Sequence, residues 1–136
     1  MACWGRGGSG ELGDGALTNS MTPVAVYGLA DAVEIAAGGQ HMCTRRSDGS
    51  LSCWGLTGDG ALGSGGGGLD CHSFECSPAP WPVIGIADAV ELAAGSRSTC
   101  ARRASGQVLC WGANELGQVG DGTTTMRSTP VPVVGL

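Results

Sequence analysis

The residues best equipped for chemistry in this sequence are its seven cysteines. Nine residues separate Cys43 from Cys53, and the same spacing separates Cys100 from Cys110. In the first pair the segment centres on Ser47-Asp48-Gly49, which indicates a β-hairpin turn with glycine in the left-handed conformation. Counting outward from that turn places the two cysteines directly opposite each other, within the distance that a disulfide needs. The spacing therefore predicts two hairpin disulfides, with buried reduced thiols as the alternative.

Three cysteines stand outside these hairpins. Cys71 and Cys76 are close enough in sequence for a third disulfide, whereas Cys3 is left over and its partner is expected upstream of Met1. Disulfides indicate an oxidising compartment, so we predict an extracellular, periplasmic or cell-surface location, with the cytoplasm as the alternative. The spacings differ from the short Cys-x2-Cys pairs of structural zinc sites, so no metal site is predicted.

Other reactive side chains are few: one tyrosine, two histidines and no lysine. His41 is interpreted as a hydrogen-bonding residue between strands, because Ser98 takes its place in a second copy of the surrounding motif. His72, between two cysteines, is interpreted as a solvated loop residue rather than a metal ligand. No nucleophile, base and orienting group occur together, so we predict no enzymatic activity and no cofactor.

Composition excludes several classes of partner. The formal charge is −5 and all seven basic residues are arginines without a basic stripe, so direct binding to nucleic acid is not expected. No apolar run reaches the length of a membrane span. The N-terminus lacks the basic start and apolar core of a signal peptide.

The elements that position the cysteines belong to an internal repeat. Three Cys-Trp-Gly markers, at 3–5, 53–55 and 110–112, are 50 and 57 residues apart. The seven extra residues fall in the insertion 66–79. The repeat units are approximately 1–5, 6–55, 56–112 and 113–136.

Each period contains four short extended segments. They are Pro-Val-x-Val, Ala-Val-Glu-Ile-Ala-Ala-Gly and the two arms of the cysteine hairpin. A helix over 29–37 is the alternative for the second segment, but Gly28 and Gly38 bracket it tightly. Four strands in about fifty residues are typical of a β-propeller blade, which predicts an all-β chain of four-stranded antiparallel sheets.

The number of blades follows from the number of repeats. A ring closes with four to eight blades, so this chain predicts an incomplete propeller of about two to three. Either it is a fragment of a larger propeller, with the remaining blades in the same longer chain, or several chains associate through their open strand edges.

The combined motifs resemble the regulator-of-chromosome-condensation repeat. The resemblance rests on four segments: Cys110-Trp111-Gly112-Ala113-Asn114 through Thr123, Thr22 through Leu29, Val33 through His41, and Asp48 through Gly55. It implies a propeller, commonly of seven blades. The cysteine-bearing hairpin is similar to that of bacterial, often exported, members of the family.

Several repeated residues are interpreted as structural. The repeated tryptophans are expected to pack between blades, with the indole N–H bonded to a backbone carbonyl, rather than to form ligand-stacking platforms. The arginine pairs 45–46 and 102–103 are interpreted as solvated hairpin tips or as an anion-facing patch. The predicted structural repeat positions are Trp4, Trp54, Trp111, Gly38, Gly95 and His41.

Function on such a scaffold is expected in the loops, so we predict a protein-interaction module. The variable loops are 6–11, 16–21 and above all 66–79. Family resemblance implies two alternatives: an exchange-factor-like regulator of a small GTPase, and a secreted inhibitor of a β-lactamase-type enzyme. The candidate partner-binding residues are Leu69, Asp70, His72, Phe74, Glu75 and Trp81.

Overall fold

The structure, a computed structural model, describes all residues 1–136 and contains eleven β-strands and no helix. In chain order the strands are β1 (Ala2–Gly5), β2 (Ser20–Ala25), β3 (Ala32–Ala37), β4 (His41–Arg46), β5 (Leu51–Leu56), β6 (Leu69–Asp70), β7 (Glu75–Pro82), β8 (Ala89–Ala94), β9 (Ser98–Arg103), β10 (Val108–Gly112) and β11 (Arg127–Pro132). The all-β prediction is confirmed, and the helical alternative over 29–37 is wrong because β3 occupies that segment. No helix is present that is long and apolar enough to cross a membrane.

The strands form three antiparallel sheets, which we call sheets I, II and III. Sheet I contains β1 and β2, sheet II has the order β3-β4-β5-β7-β6, and sheet III has the order β11-β10-β9-β8. Sheet III is the predicted four-stranded blade. Sheet II has the same four-stranded core, extended by β6 from the insertion, and sheet I is half a blade.

Each sheet runs across a Cys-Trp-Gly marker. In sheet II, strands β3 and β4 precede the marker, β5 contains it, and β7 returns after a long loop to pair with β5. The same return pairs β2 with β1 and β11 with β10. A blade therefore takes its outer strand from the repeat unit that follows in the sequence.

The cysteine hairpins have the register that their spacing predicts. Cys43 lies directly opposite Cys53, and their Cα atoms are 4.1 Å apart. Cys100 and Cys110 have the same pairing and the same Cα separation. The turn is closed by the Gly49 N–H, which donates to the Arg46 carbonyl at 3.0 Å, and Gly49 has a φ of +84°, which only glycine adopts easily.

Two apolar cores hold the sheets against one another. The core between sheets I and II consists of Cys3, Leu12, Val26, Leu29 and Trp54. The core between sheets II and III repeats these positions with Cys53, Leu62, Val83, Ile86 and Trp111, and adds six further buried residues. Because this second interface joins two complete four-strand cores, it buries more apolar surface and contributes more to stability.

Candidate functional site

Trp54 and Trp111 are fully buried between neighbouring sheets. Their indole N–H groups donate to the backbone carbonyls of Glu11 at 2.9 Å and Ala61 at 2.8 Å, in the loop near the start of the same repeat unit. Neither ring is available to stack on a ligand. Trp4 differs, because 64 % of its surface is exposed and no sheet lies against it.

His41 connects sheets II and III through a buried hydrogen-bond chain. Its Nε2 lies 2.9 Å from the Thr99 hydroxyl oxygen, and that hydroxyl donates to the Ala61 carbonyl at 2.9 Å. A hydroxyl has one proton to give, so His41 Nε2–H is the donor in the first bond. Glycine is required at position 38 because a Cβ there would collide with the imidazole ring of His41. At the equivalent Gly95 a Cβ would lie 3.1 Å from the Ser98 hydroxyl. This hydrogen-bond chain therefore links sheet II to sheet III.

Burial lowers the pKa of His41 from 6.5 to about 4, with the Asp59 carboxylate opposing the shift. In the unfolded chain His41 therefore becomes protonated below pH 6.5, whereas in the folded chain it stays neutral until the pH reaches about 4. We expect the stability contribution to be complete above pH 6.5 and to fall by about 3 kcal/mol as the pH decreases to 4.

Urea denaturation at pH 7, 5.5 and 4 measures this loss. The control is His41→Ser, which introduces the residue found at position 98 in the next repeat. The variant should show a shallower decline over the same interval. Parallel pH profiles for the two proteins would contradict a neutral, buried imidazole.

A polar cavity of about 240 Å³ lies beside His41 between the same two sheets. Its charged groups neutralise each other, because Arg97 donates to both oxygens of Asp59 and also contacts Glu115 at 3.2 Å. This pairing lowers the pKa of Asp59 and raises that of Arg97. No group of three or more His, Cys, Asp or Glu residues in the chain could hold a metal ion.

The hairpin arginines are also paired with carboxylates. Arg45 contacts Glu34 at 2.7 Å, and Arg102 makes the equivalent contact with Glu91 at 2.8 Å. Their neighbours Arg46 and Arg103 pair with Asp31 and Asp88. The carboxylates are on or next to the adjacent strand, so this surface is locally neutral and does not offer free cations to an anionic ligand.

The insertion 66–79 forms a short hairpin instead of an irregular loop, and we call it the insertion hairpin. Strand β6 pairs with the start of β7, and the Cα atoms of Cys71 and Cys76 are 5.9 Å apart at disulfide distance. The Cys71 N–H donates to the Phe74 carbonyl at 2.8 Å, and Asp70 Oδ1 accepts from the Ser73 N–H at 3.1 Å. These contacts hold the tip in one compact turn.

The side chains of the insertion hairpin are turned outward. Leu69 and Phe74 are 57 % and 40 % exposed, and His72 is exposed at the tip with a φ of +61°. Phe74, Asp70 and Glu75 help to line an open depression of about 430 Å³, which Leu69 does not line. Five of the six candidate binding residues therefore belong to the insertion hairpin, and three of them surround this depression.

Trp81 is the exception among the candidate binding residues. It lies near the far end of β7, where it pairs with Cys53 and is half-buried. Five residue steps along the extended strand take the chain from Cys76 to Trp81, a distance of about 16 Å. Sequence proximity to the insertion was misleading here, because the strand carries Trp81 away from the hairpin tip.

Asn114, which the sequence analysis named only within the family motif and gave no role, organises the loop after the third marker. Its side-chain amide donates to the carbonyls of Thr123 at 3.0 Å and Thr125 at 2.9 Å, and its oxygen accepts from the Val119 N–H at 3.0 Å. Gly7 and Thr57 occupy the same repeat position. Because only one of three copies has asparagine, repetition gave no signal for this role.

Comparison with known proteins agrees with the repeated geometry. Residues 32–61 and 89–118, and in a second form of the same repeat residues 3–44 and 105–136, match the regulator of chromosome condensation (RCC1) repeat. The chain belongs to the RCC1 repeat family. Its sheets are therefore blades of an RCC1-type β-propeller.

Curated relatives include much longer proteins. The chain is 33 % identical over 137 residues to the human E3 ubiquitin-protein ligase HERC2, covering 98 % of this chain and 3 % of HERC2. It is 31 % identical over 123 residues to the ultraviolet-B receptor UVR8 of Arabidopsis thaliana, covering 89 % of this chain and 27 % of UVR8. This RCC1 segment thus spans a small part of these relatives.

Solved structures show the same fold. Prp20p from Saccharomyces cerevisiae superposes with a TM-score of 0.81 at 23 % identity, over 97 % of this chain and 33 % of Prp20p. Human WBSCR16 superposes with a TM-score of 0.79 at 18 % identity, over 96 % of this chain and 33 % of WBSCR16. The three sheets of the RCC1 segment correspond to about a third of each of those chains.

Proposed function

We propose that this RCC1 segment is a non-enzymatic protein-binding module that contacts its partner through the insertion hairpin. The observation that carries the proposal is that the hairpin is the one long interruption of an otherwise regular repeat, and both Leu69 and Phe74 are exposed on it. The corresponding loops of the other two copies lack these seven additional residues. Function on repetitive scaffolds lies in such variable loops.

The surface chemistry of the insertion hairpin suits a protein partner. The exposed Phe74 provides an apolar centre that the carboxylates of Asp70 and Glu75 border, and Leu69 adds exposed apolar surface on strand β6. Such a surface fits an apolar patch surrounded by basic or amide groups. A disulfide between Cys71 and Cys76 would restrict the tip before binding, which lowers the ordering cost.

Related proteins support protein binding in general. The structural study of Prp20p describes its binding to Gsp1p and histones, and a second structure shows Prp20 bound to Kap60. Gsp1p, histones and Kap60 are binding partners of Prp20p, not of this chain. We propose an extracellular or cell-envelope setting for this chain, supported by three cysteine pairs at disulfide distance, which are typical of oxidising compartments.

Photocrosslinking tests the proposed surface. A benzophenone amino acid replaces Phe74 in one protein and Tyr27 in a control, since Tyr27 is also exposed but lies outside the hairpin. We expect discrete crosslinked proteins from cells of the source organism with the Phe74 probe and not with the Tyr27 probe.

Competition makes the crosslinking result specific. Excess wild-type protein should abolish the Phe74 products, whereas the double variant Leu69→Ser/Phe74→Ser should compete at least about tenfold more weakly, as expected for loss of two central apolar contacts. Both replaced side chains are exposed, so circular dichroism should show an unchanged fold. Equal competition by the variant, or equal products from both probes, would contradict a binding role for the insertion hairpin.

A further inference from the structure

Ion pairs engage every basic side chain of this protein. All seven arginines contact a carboxylate, and eight of the twelve side-chain carboxylates are paired in this way. The four carboxylates without an arginine belong to Asp14, Asp48, Asp70 and Glu75. Asp14 and Asp48 lie in different turns, where each accepts a hydrogen bond from the backbone N–H two residues further on. Asp70 and Glu75 remain, and both are in the insertion hairpin.

Asp70 and Glu75 are directly opposite each other in the insertion hairpin. Directly opposed residues of an antiparallel pair carry their side chains on the same face, and like charges there destabilise the pairing. In sheet II the same kind of position pairs Glu34 with Arg45, and sheet III repeats that arrangement. The insertion hairpin therefore brings together negative charge that this chain does not neutralise.

The depression between these carboxylates has an aromatic wall. Asp70, Phe74 and Glu75 line it, and the remainder of its surface comes from Gly68 and Ser73. The Phe74 ring is 40 % exposed, so part of it is accessible to a ligand. A ring face and a carboxylate both attract positive charge. The depression is therefore complementary to a cationic group with apolar surface of its own.

A buried hydroxyl next to the depression has no hydrogen-bond partner. Thr57 is 8 % exposed, and its Oγ1 makes no hydrogen bond within the chain. This oxygen lies 2.9 Å from the position that a Cβ on Gly68 would take, so it is next to the wall that Gly68 forms. The Thr57 N–H donates to the Glu75 carbonyl at 3.0 Å, which holds Thr57 beside the insertion hairpin. Buried polar atoms are normally paired, so an unpaired acceptor here points to a ligand with N–H donors.

We propose that this depression receives an arginine side chain of the partner protein, an inference that rests on the proposed function and specifies the chemistry of the partner. The guanidinium lies against Phe74 and donates to the carboxylates of Asp70 and Glu75. Asp70 Oδ1 already accepts from the Ser73 N–H, which leaves Asp70 Oδ2 and the Glu75 carboxylate as the acceptors. The partner therefore presents an exposed arginine at the centre of its contact surface.

The guanidinium group fits this depression better than the ammonium group of lysine. It is flat, so one face can lie on the Phe74 ring while its edge donates N–H groups to more than one carboxylate. A lysine ammonium is compact and more strongly hydrated, and it offers no flat face to the ring. A metal ion is disfavoured, since no group of three or more His, Cys, Asp or Glu residues is present to hold one.

Titration with blocked amino acids tests the depression directly. Isotope-labelled protein is titrated with N-acetylarginine methylamide, and the backbone NMR signals of Phe74 and Glu75 are followed. We expect saturable shifts with this probe, binding at least about tenfold weaker for the lysine analogue, and no saturable shifts for the uncharged citrulline analogue. The variant Asp70→Asn/Glu75→Gln should bind the arginine probe at least about tenfold more weakly than the wild type.

The matched control is the variant Asp14→Asn/Asp48→Asn. It removes the same amount of charge from the other two unpaired carboxylates, and asparagine keeps the oxygen that accepts the turn hydrogen bond. This variant should bind the arginine probe as the wild type does. Equal loss of binding in the two double variants would mean that net charge alone attracts the probe, and the proposal would be wrong. It would also be wrong if calcium chloride shifted the Phe74 and Glu75 signals while the arginine probe did not.

The crosslinking assay with the Phe74 probe distinguishes this inference from the proposed function. Excess Asp70→Asn/Glu75→Gln protein should compete for the crosslinked partner at least about tenfold more weakly than the wild type does. Treatment of the cell extract with phenylglyoxal, which blocks arginine side chains, should abolish the crosslinked products, whereas acetylation of lysines should not.

The outcomes of this assay separate the two proposals. Equal competition by the Asp70→Asn/Glu75→Gln variant, or products that survive phenylglyoxal and disappear on lysine acetylation, would overturn the arginine site and leave the insertion hairpin as the contact surface. Absence of crosslinks specific to the Phe74 probe would overturn the proposed function, and the partner's arginine with it, even if the small arginine probe binds.

Discussion

Replacement of Trp111 with alanine is expected to lower the free energy of unfolding by about 3–5 kcal/mol. The indole is fully buried between sheets II and III and donates its N–H to the Ala61 carbonyl. The variant loses that packing and leaves a cavity, and it also leaves a buried carbonyl with one donor fewer. Urea denaturation at pH 7, followed by circular dichroism, measures the change.

Trp4→Ala is the matched control for Trp111→Ala, because both residues occupy the same repeat position. Trp4 is mostly exposed and makes no equivalent interface, so its replacement should cost less than about 1 kcal/mol. Similar losses for the two variants would show that the repeat position itself, and not packing between blades, determines the contribution of tryptophan.

The disulfide between Cys43 and Cys53 is expected to contribute about 3 kcal/mol to stability. The two residues are 10 positions apart, and closing a loop of that length removes conformational entropy from the unfolded chain. We expect the double variant Cys43→Ala/Cys53→Ala to unfold at correspondingly lower urea concentration. Mass spectrometry after thiol alkylation without reductant should find one free cysteine, Cys3, in the wild type.

The double variant Cys71→Ala/Cys76→Ala provides the comparison. These residues close the insertion hairpin at the margin of sheet II, so their replacement should change global stability by less than about 0.5 kcal/mol while hydrogen exchange at the hairpin tip accelerates. An equally large global loss would mean that the insertion hairpin unfolds together with the blades. Six alkylated cysteines in addition to Cys3 in the wild type would contradict the oxidised pairs themselves.

The blades were predictable because several local signals agreed. The Asp48-Gly49 turn determines the hairpin, and the two-residue period of a strand then determines that Cys43 and Cys53 meet on the same face. The same spacing recurs at Cys100 and Cys110, so the hairpin prediction did not depend on one copy of the motif. Tight bracketing by Gly28 and Gly38 correctly favoured a strand over a helix for the segment between them.

Side-chain contacts between neighbouring strands were less accessible from the sequence. The ion pair of Arg45 with Glu34 depends on which strand lies beside β4, and the hairpin spacing does not contain that information. The two-residue strand β6 is too short to show an alternating pattern. Trp81 was predicted to lie with the insertion hairpin because it follows the insertion closely in the sequence. Residues that are close along the chain can still be far apart in space when an extended strand connects them.

The insertion hairpin was predictable as a candidate surface but not in its structure. Its departure from the repeat indicated a variable region, and its cysteine spacing suggested a closed loop. The exposure of its side chains depends on β7, which pairs with β5 and so attaches one arm of the hairpin to sheet II. The other arm, β6, lies at the edge of that sheet. Only the geometry shows that Phe74 lines one depression with two carboxylates.

The return of each outer strand across its marker decides where a protease can cut without separating paired strands. Cleavage in the short connection 83–88 would leave β3 through β7 with all their partners on one side and β8 through β11 on the other. A break shortly after Gly55 would detach the outer arm of sheet II from its own chain. Limited proteolysis should therefore yield fragments whose ends do not coincide with the Cys-Trp-Gly markers of the sequence repeat.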